Sequence, residues 1–300
     1  MSTSSERLYL VDASVYVFRA YHSMEPDWND ADGWATHAVH GFSSFLFQLL
    51  EQIGPGMPMA VCFDRALQGS FRNEIYPPYK ANREPPDEGL LVQFRYCQTL
   101  VRALGLACLS DTRYEADDLI GTLANRARER SVPVTIVSAD KDLSQLIGPE
   151  DEQWDFARNR RWDQAGVEER FGVRPDQIAE LLALSGDSVD NIPGVRGVGP
   201  TTAAALLRHF DNLDALYRRL EELPFLRLRG AKAAYGKLKP AREEALLYRR
   251  LTRIALDAPI DLSWEQLRPA RVDLDAADNL FDQVGFGPLF KSRARRLAAR

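Results

Sequence analysis

Two short acidic clusters are the parts of this sequence whose residues could bind a metal ion or take part in catalysis. The first, Glu-Ala-Asp-Asp at 115–118, opens an amphipathic run, and the second, Ser-Ala-Asp-Lys-Asp at 138–142, follows the apolar stretch 134–137. Carboxylates this close raise one another's pKa unless a cation lies among them, so the first hypothesis is a metal site. For each cluster alone an alternative stays open, because acids at a helix start also interact favourably with the helix dipole.

The strands and helices that must position these acids follow from the hydrophobic pattern. Residues 7–11, 58–63 and 134–137 predict short buried strands, and 36–53 and 88–104 predict helices. Strands that alternate with helices are typical of an α/β fold with a mostly parallel central sheet flanked by helices.

Each of the three predicted strands is followed by an acid, namely Asp12, Asp64 or Asp140. Ligands of parallel sheets bind beyond the carboxyl ends of the strands, so these side chains should meet at one edge. The recurrence favours a shared metal site over a separate helix-dipole role for each cluster.

A basic segment without periodicity lies between Asp64 and the second predicted helix. Residues 71–86 contain two Pro-Pro pairs, which exclude one regular helix, together with Tyr79, Lys80 and Arg83. Beside a carboxylate site, such a segment could be a mobile arch whose cations hold phosphate and whose tyrosines stack on bases. A solvated Pro-rich loop is the alternative.

A second acidic pair precedes a glycine-rich turn. Asp187 and Asp190 are three residues apart, so a helical turn would project both carboxylates to one side and complete the metal site. The turn and the helix start after it would form a phosphate cradle that reads no bases. The residues expected to form this cradle are Gly194, Gly197, Gly199, Thr201 and Thr202. A tight connection between two helices is the alternative.

Composition limits the classes of protein that fit. The 300 residues suffice for an α/β domain over 1–185, with an arch around 70–95, and a helical region over 186–300. The net charge is −5, but nine of the 43 acidic residues set aside for one metal site would leave Lys and Arg in excess, so a phosphate-rich partner fits. Cys62, Cys97 and Cys108 lack metal-ligand spacing and fit buried free thiols. With no signal segment and no apolar run long enough for a membrane span, we expect a soluble intracellular protein.

The motifs, in their order along the chain, resemble the 5′-nuclease family, which includes flap endonucleases and the 5′-nuclease domain of bacterial DNA polymerase I. They are Leu-Val-Asp-Ala-Ser at 10–14, Val-Cys-Phe-Asp at 61–64, Phe-Arg at 71–72 with Tyr-Lys-x-x-Arg at 79–83, the two clusters at 115–118 and 138–142, and Gly-Asp-x-x-Asp-Asn-Ile-Pro-Gly-Val at 186–195. Ala13 stands where many relatives have Gly. The chain ends where a polymerase would begin, so the resemblance is to the free-standing nuclease and its PIN-like fold.

The resemblance implies a site of nine carboxylates that binds two metal ions. Oxygen-only ligands favour Mg²⁺, with Mn²⁺ as a substitute. By resemblance, Asp12, Asp64 and Glu115 would hold one ion, and Asp140, Asp142 and Asp190 would hold the other. Asp117 would lie between the two ions, and Asp118 and Asp187 would act through water.

The resemblance also implies how DNA is held. Lys80 and Arg83 would neutralise charge on the scissile phosphate, and Tyr79 would unpair or stack a terminal base. Arg72 and Lys232, the latter in the basic stretch 227–232, would contact DNA. Residues 186–210 would form a helix-three-turn-helix that grips duplex phosphates, with K⁺ bound by the carbonyls around Val195 and Val198.

The implied activity is metal-dependent, structure-specific hydrolysis of DNA at 5′ ends, flaps or nicks, as a 5′-3′ exonuclease, a flap endonuclease or both, in replication and repair. Two alternatives are a DNA-binding module without catalysis and a PIN-like ribonuclease. The complete set of carboxylates with Lys80 argues against the first, and the turn at 194–201 argues against the second.

Overall fold

The computed structural model describes residues 6–65, 69–227 and 230–299. Its centre is a six-stranded sheet in the order β3-β2-β1-β4-β5-β6, in which β1 to β5 pair in parallel and β6 is antiparallel to β5. The strands are β1 Leu8–Asp12, β2 Met59–Asp64, β3 Ala107–Asp111, β4 Val134–Val137, β5 Glu152–Asp155 and β6 Arg160–Trp162. The predicted α/β class with a mostly parallel sheet is therefore confirmed.

Thirteen α-helices surround this sheet within the described ranges. They are α1 Ala13–Ser23, α2 His37–Ile53, α3 Phe71–Ile75, α4 Glu88–Ala103, α5 Ala116–Arg128, α6 Gln164–Phe171, α7 Ile178–Ser185, α8 Pro200–Phe210, α9 Leu213–Arg218, α10 Ala231–Leu238, α11 Arg242–Thr252, α12 Leu274–Gln283 and α13 Pro288–Ala298. Short 3₁₀ helices lie at Asp142–Leu146, Phe156–Arg158, Pro175–Gln177, Leu220–Phe225 and Glu265–Leu267. The two helices predicted before residue 105 agree with α2 and α4 to within one residue at each end.

Alternate residues of the central strands face two separate cores. Leu10 and Ile136 point to a core shared with α5, α7 and the helices α8 to α11. Val11 and Val137 point to the opposite core, which is shared with α1, α2, α4, α12 and α13. Burial on both sheet faces explains why these strands read as continuous apolar runs.

The last two helices pack apart from the other helices of the expected helical region. The sequence assigned 186–300 to one helical region, but α12 and α13 lie in the core of the opposite sheet face, away from α8 to α11. Phe290 stacks on Phe47 of α2 with ring centroids 6.0 Å apart, and Phe281 packs against the same ring at a tilt, with centroids 6.4 Å apart. The cause is the burial of these large rings, which the aromatic face of α2 provides.

The cysteines are largely buried. Cys62 and Cys97 are buried free thiols, and Cys108 is partly buried. Burial raises the pKa of the Cys62 and Cys97 thiols well above the usual range, so the reactive thiolate is disfavoured. No helix of the described residues is both long and apolar enough to cross a bilayer.

The adjacent residues Phe290 and Leu289 test the packing of α13. Phe290 is 3% exposed, whereas Leu289 is 63% exposed. Phe290→Ala should lower the free energy of unfolding by about 3–5 kcal/mol, because it leaves a cavity among the stacked rings. Leu289→Ala should change it by less than about 0.5 kcal/mol. Urea unfolding of both variants measures the difference, and equal losses would show that α13 is not packed as described.

Candidate active site

Eight of the nine predicted carboxylates line one cleft of about 560 Å³ at the carboxyl edge of the sheet. These are Asp12, Asp64, Glu115, Asp117, Asp140, Asp142, Asp187 and Asp190. Lys80, Arg83 and Lys141 line the same cleft. The ninth carboxylate, Asp118, is not part of its wall.

The ends of the first two strands fix Asp12 and Asp64 through short local contacts. Asp12 accepts a hydrogen bond from Ser138 Oγ at 2.8 Å, which joins the ends of β1 and β4. Asp64 Oδ1 accepts from the backbone N–H of Ala116 at 2.8 Å, and the Asp64 N–H donates to Ser14 Oγ at 2.8 Å. The start of α1 and the start of α5 therefore hold the carboxylate of β2 in place.

Asp140 and Asp142 lie in the tight turn that follows β4. The N–H of Asp142 donates to Asp140 Oδ1 at 2.9 Å, and the N–H of Asp140 donates to Ser138 Oγ at 3.0 Å. The 3₁₀ helix then begins at Asp142. The turn brings both carboxylates to the cleft next to the end of β1.

Asp187 and Asp190 are brought together by a turn that is not helical. A β-bridge joins Asp187 to Ile192, and Asp187 Oδ1 accepts from the N–H of Val189 at 3.0 Å. Asn191, at φ +57°, lets the chain reverse direction. Both acids line the cleft, but the helical turn expected to place them was wrong.

The structure contradicts the roles predicted for Arg72 and Asp118. Arg72 is 2% exposed, and its guanidinium forms a bidentate pair with Asp118 through two 2.8 Å hydrogen bonds. Asp118 is fully buried and also accepts from the N–H groups of Glu115 and Ala255. A buried guanidinium cannot contact DNA, and a carboxylate with both oxygens engaged in the interior does not face the cleft.

Tyr79 is likewise too deeply buried to stack on a base. Its side chain is 2% exposed, and its hydroxyl lies 3.0 Å from Glu115 Oε2 and 2.9 Å from Asp190 Oδ2. Burial and these two carboxylates raise the pKa of Tyr79 well above its usual range, so the phenol stays protonated and donates. Tyr79 therefore links two carboxylates of the cleft.

The basic segment is bound to the acidic turn through backbone contacts. The N–H of Lys80 donates to the carbonyl of Asp190 at 3.0 Å. Asn191 Nδ2 donates to the carbonyl of Pro78 at 2.7 Å, and Asn82 Nδ2 donates to the carbonyl of Ser188 at 2.9 Å. We call these contacts between 78–83 and 187–191 the clasp. Part of the predicted arch is thus folded onto the site.

Cationic side chains stand among the carboxylates of the cleft. Lys80 Nζ lies 2.7 Å from Glu115 Oε1 and 3.8 Å from Asp190 Oδ1. Lys141 Nζ lies 2.6 Å from Asp187 Oδ2. Sequence reasoning assigned no role to Lys141, although its position between the two acids of 138–142 was the available signal.

Three carboxylates of the cleft carry strongly raised pKa values. Burial, with the charge of Asp64, raises the pKa of Asp12 to about 7. Burial, with the charge of Asp140, raises the pKa of Asp142 to about 8 and that of Asp117 well above its usual range. Crowded acids with such pKa values are a typical consequence of a site built for a cation.

Glu115 differs from these acids. Burial acts to raise its pKa, but the charges of Lys80 and Arg72 outweigh burial and lower the pKa below the usual range. Glu115 is therefore the carboxylate that the protein's own cations keep ionised.

The carboxylate oxygens that line the cleft are suitable ligands for a divalent cation. The side chains that face one another are carboxylates, and the buried Asp142 Oδ1 has no hydrogen-bond partner, with Lys141 Nζ 3.4 Å away. Hard cations such as Mg²⁺ prefer oxygen ligands of this kind. In the described parts of the chain, no group of three or more acidic, His or Cys side chains is already arranged around a common point for an ion.

The residues expected to form the phosphate cradle divide into buried and exposed groups. Gly194, at φ +65°, is buried, and a Cβ there would lie 2.2 Å from the Gly186 nitrogen, so its role is internal packing and the expected contact with DNA is wrong. Exposed or partly exposed positions are Gly197, Gly199, Thr201, Thr202 and Lys232. The Val195 carbonyl accepts from the N–H of Val198 at 2.9 Å. The basic stretch before Lys232 includes residues 228 and 229, which lie outside the described residues.

Two sequence models of 5′-3′ exonucleases match consecutive parts of the chain. The N-terminal resolvase-like domain matches residues 7–172, and the C-terminal SAM fold matches residues 173–275. The boundary between the two matches is at 172/173, whereas the sequence analysis expected a domain boundary at 185/186.

Relatives of known sequence include both a separate nuclease and polymerases. The 5′-3′ exonuclease of Buchnera aphidicola is 32% identical over 284 residues, which cover 95% of this chain and 98% of that protein. DNA polymerase I of Pseudomonas aeruginosa is 40% identical over 284 residues, which cover 94% of this chain and 31% of the polymerase. The chain thus spans about a third of the polymerase relatives' length.

Solved structures show the same fold at low sequence identity. The T5 5′-exonuclease with bound zinc aligns with a TM-score of 0.65 at 19% identity, over 98% of this chain and 99% of the other. The catalytic core of Rad2 in complex with DNA substrate aligns with a TM-score of 0.61 at 18% identity, over 99% and 92%. With both sequence models matched in order and the exonuclease relative covered almost entirely, the chain belongs to the 5′-3′ exonuclease family.

Proposed function

We propose that this protein is a metal-dependent, structure-specific 5′-nuclease that hydrolyses phosphodiester bonds in DNA. The observation that carries the proposal is the convergence of eight carboxylates with Lys80 and Arg83 on one cleft. Membership of the 5′-3′ exonuclease family supports the reaction, and the DNA-bound Rad2 core of the same fold supports the substrate.

Mg²⁺ is the proposed cofactor, in two sites, with Mn²⁺ as a substitute. Asp12, Asp64 and Glu115 would hold one ion and Asp140, Asp142 and Asp190 the other, with Asp117 between them and Asp187 acting through water. Divalent metals would supply a water of lowered pKa and neutralise charge on the phosphate. The zinc-bound T5 5′-exonuclease supports a divalent metal in this fold.

Lys80 and Arg83 are proposed to neutralise charge that grows on the scissile phosphate. Burial acts to lower the pKa of Lys80, but Glu115 and Asp190 outweigh it and raise that pKa, so the ammonium stays charged. Arg83 Nη2 lies 2.8 Å from Asp190 Oδ1 with its side chain partly exposed. Both cations are therefore charged and within reach of a substrate in the cleft.

Tyr79, Arg72 and Asp118 are proposed to position the groups that touch substrate or metal. Arg72 Nη1 lies 3.3 Å from Glu115 Oε2, on the carboxylate that Tyr79 and Lys80 also contact. Removing one partner of a buried ion pair leaves an uncompensated charge, so these three residues should act together.

Recognition is proposed to depend on DNA shape. The exposed turn at 197–202 with Lys232 would hold duplex phosphates, and the cleft would receive a 5′ end, flap or nick. K⁺ at the carbonyls of 195 and 198, action as a monomer and a place in the bacterial cytosol belong to the same proposal, and the bacterial sources of the relatives support the last. Exonuclease and flap endonuclease activity remain two forms of one proposed reaction.

Asp140→Ala tests the metal site, with Asp176→Ala as its matched control. Asp176 is an exposed carboxylate that pairs with Arg174 outside the cleft. Labelled flap, blunt and nicked duplexes should be cleaved by the wild type and by Asp176→Ala with Mg²⁺ and not with chelator. Asp140→Ala should cleave no faster than the chelator control. Equal cleavage by the wild type and Asp140→Ala would refute the metal site.

The same proteins allow a readout without DNA. Mg²⁺ should raise the thermal unfolding temperature of the wild type and of Asp176→Ala, because a ligand that binds only the folded state stabilises it. The shift should be much smaller for Asp140→Ala.

Lys80→Ala separates charge neutralisation from DNA binding. The cleavage rate at saturating DNA should fall by about 10²–10³, the usual cost of losing one electrostatic contact to developing charge. The dissociation constant for a nicked duplex, measured by fluorescence anisotropy in chelator, should change little. A collapse of binding would instead mean that Lys80 positions the DNA.

A further inference from the structure

The exposed side chain of Lys237 is fixed at the turn proposed to grip DNA. Lys237 lies on α10, forty positions from Gly197 in the chain, and its ammonium donates to the carbonyl of Gly197 at 2.7 Å. A lysine side chain in solvent samples many rotamers, so this contact holds the charge in one place.

Glycine at position 197 leaves the space that this ammonium occupies. Gly197 has φ +79°, and a Cβ at that position would lie 2.6 Å from Lys237 Nζ and 3.0 Å from Cε. By contrast, a Cβ on Gly199 would meet nothing within 4 Å. Gly197 is thus needed for the lysine as well as for the backbone of the turn.

The charge of Lys237 is not neutralised by its partner. The Gly197 carbonyl is a neutral acceptor and takes one of the three donors of the ammonium. Among the residues that the structure describes, Lys237 forms no salt bridge, whereas Lys239, at the C-terminal cap of α10, is bound by Glu221 at 2.9 Å. The two lysines are close in sequence but only one carries an uncompensated charge.

The turn itself has little positive charge to offer a phosphate. Between 194 and 202 the only basic residue is Arg196, and the two residues that open α8 after Pro200 are threonines. Backbone and hydroxyl groups can orient a phosphate, but displacing the counterions of duplex DNA requires Lys or Arg. Lys237 brings such a charge to this turn from a separate helix.

We propose that Lys237 is a DNA-binding residue, whose ammonium is held by the Gly197 carbonyl and forms an ion pair with a duplex phosphate at the turn. This inference rests on the proposed function, because it needs duplex DNA at 194–202. It adds one phosphate contact that reads no bases.

The test is the salt dependence of binding to a nicked duplex, measured by fluorescence anisotropy in chelator over a range of KCl concentrations. Lys237→Met should lower the magnitude of the slope of log K against log[KCl] by about one, the change expected for one lost phosphate contact. Lys237→Arg should keep the wild-type slope. Lys239→Met, at the end of the same helix, should also keep it.

A wild-type slope for Lys237→Met, even with lower thermal stability, would overturn the inference and leave the lysine a structural contact. A wild type that binds duplex DNA poorly at every salt concentration would instead overturn the proposed function.

Discussion

Repulsion among crowded carboxylates is the constraint on which the rest of the structure depends. Parallel strands bring Asp12, Asp64 and Asp140 to one edge, and Asp12 is buried there, with little water to screen its charge. Cations from outside the sheet lie among these acids, Lys80 from the segment after α3 and Lys141 from the turn after β4. These two lysines offset part of the charge, yet burial first, and then the charges of Asp64 and Asp140, raise the pKa values of Asp12 and Asp142. Because the carboxylates of the cleft outnumber these cations, a divalent metal ion fits the cleft as a ligand.

Arg72 is the cation on which the geometry of the cleft depends most. Its guanidinium donates to the carbonyls of Leu251 and Arg253 and to Asp118, so it joins α3, α5 and the end of α11. Burying this charge is costly, and the cost is offset only because nearly every donor has an acceptor. Asp118 in turn accepts from the N–H of Glu115, which fixes the residue that lines the cleft. An arginine and a carboxylate that do not face the cleft thereby set the position of one that does.

The sequence was sufficient for the central strands and for the acids at their ends, because buried strands read as apolar runs and a carboxylate ending such a run is conspicuous. It did not indicate β3, whose residues are all only partly buried, or α1, which follows β1 without any turn residue. It also misplaced Arg72 and Tyr79. The segment that carries them has no periodicity, so nothing local distinguishes an inward side chain from a solvated one. Their direction is decided by Asp118, Glu115 and Asp190, which are distant in sequence.

The clasp connects the acidic cleft to the exposed turn at 197–202 through a single stretch of backbone. Asp190 belongs to the cleft, its carbonyl accepts from Lys80, and four residues later Gly194 packs against Gly186 so closely that no side chain would fit. The exposed turn at Gly197 follows directly. Asp187 and Asp190 are therefore separated from the surface proposed to hold duplex phosphates by a short segment, which is held in place by the close packing of Gly194 on Gly186. If DNA is gripped at that surface, the phosphate that reaches the cleft is selected by this fixed distance, and base sequence has no part in the selection.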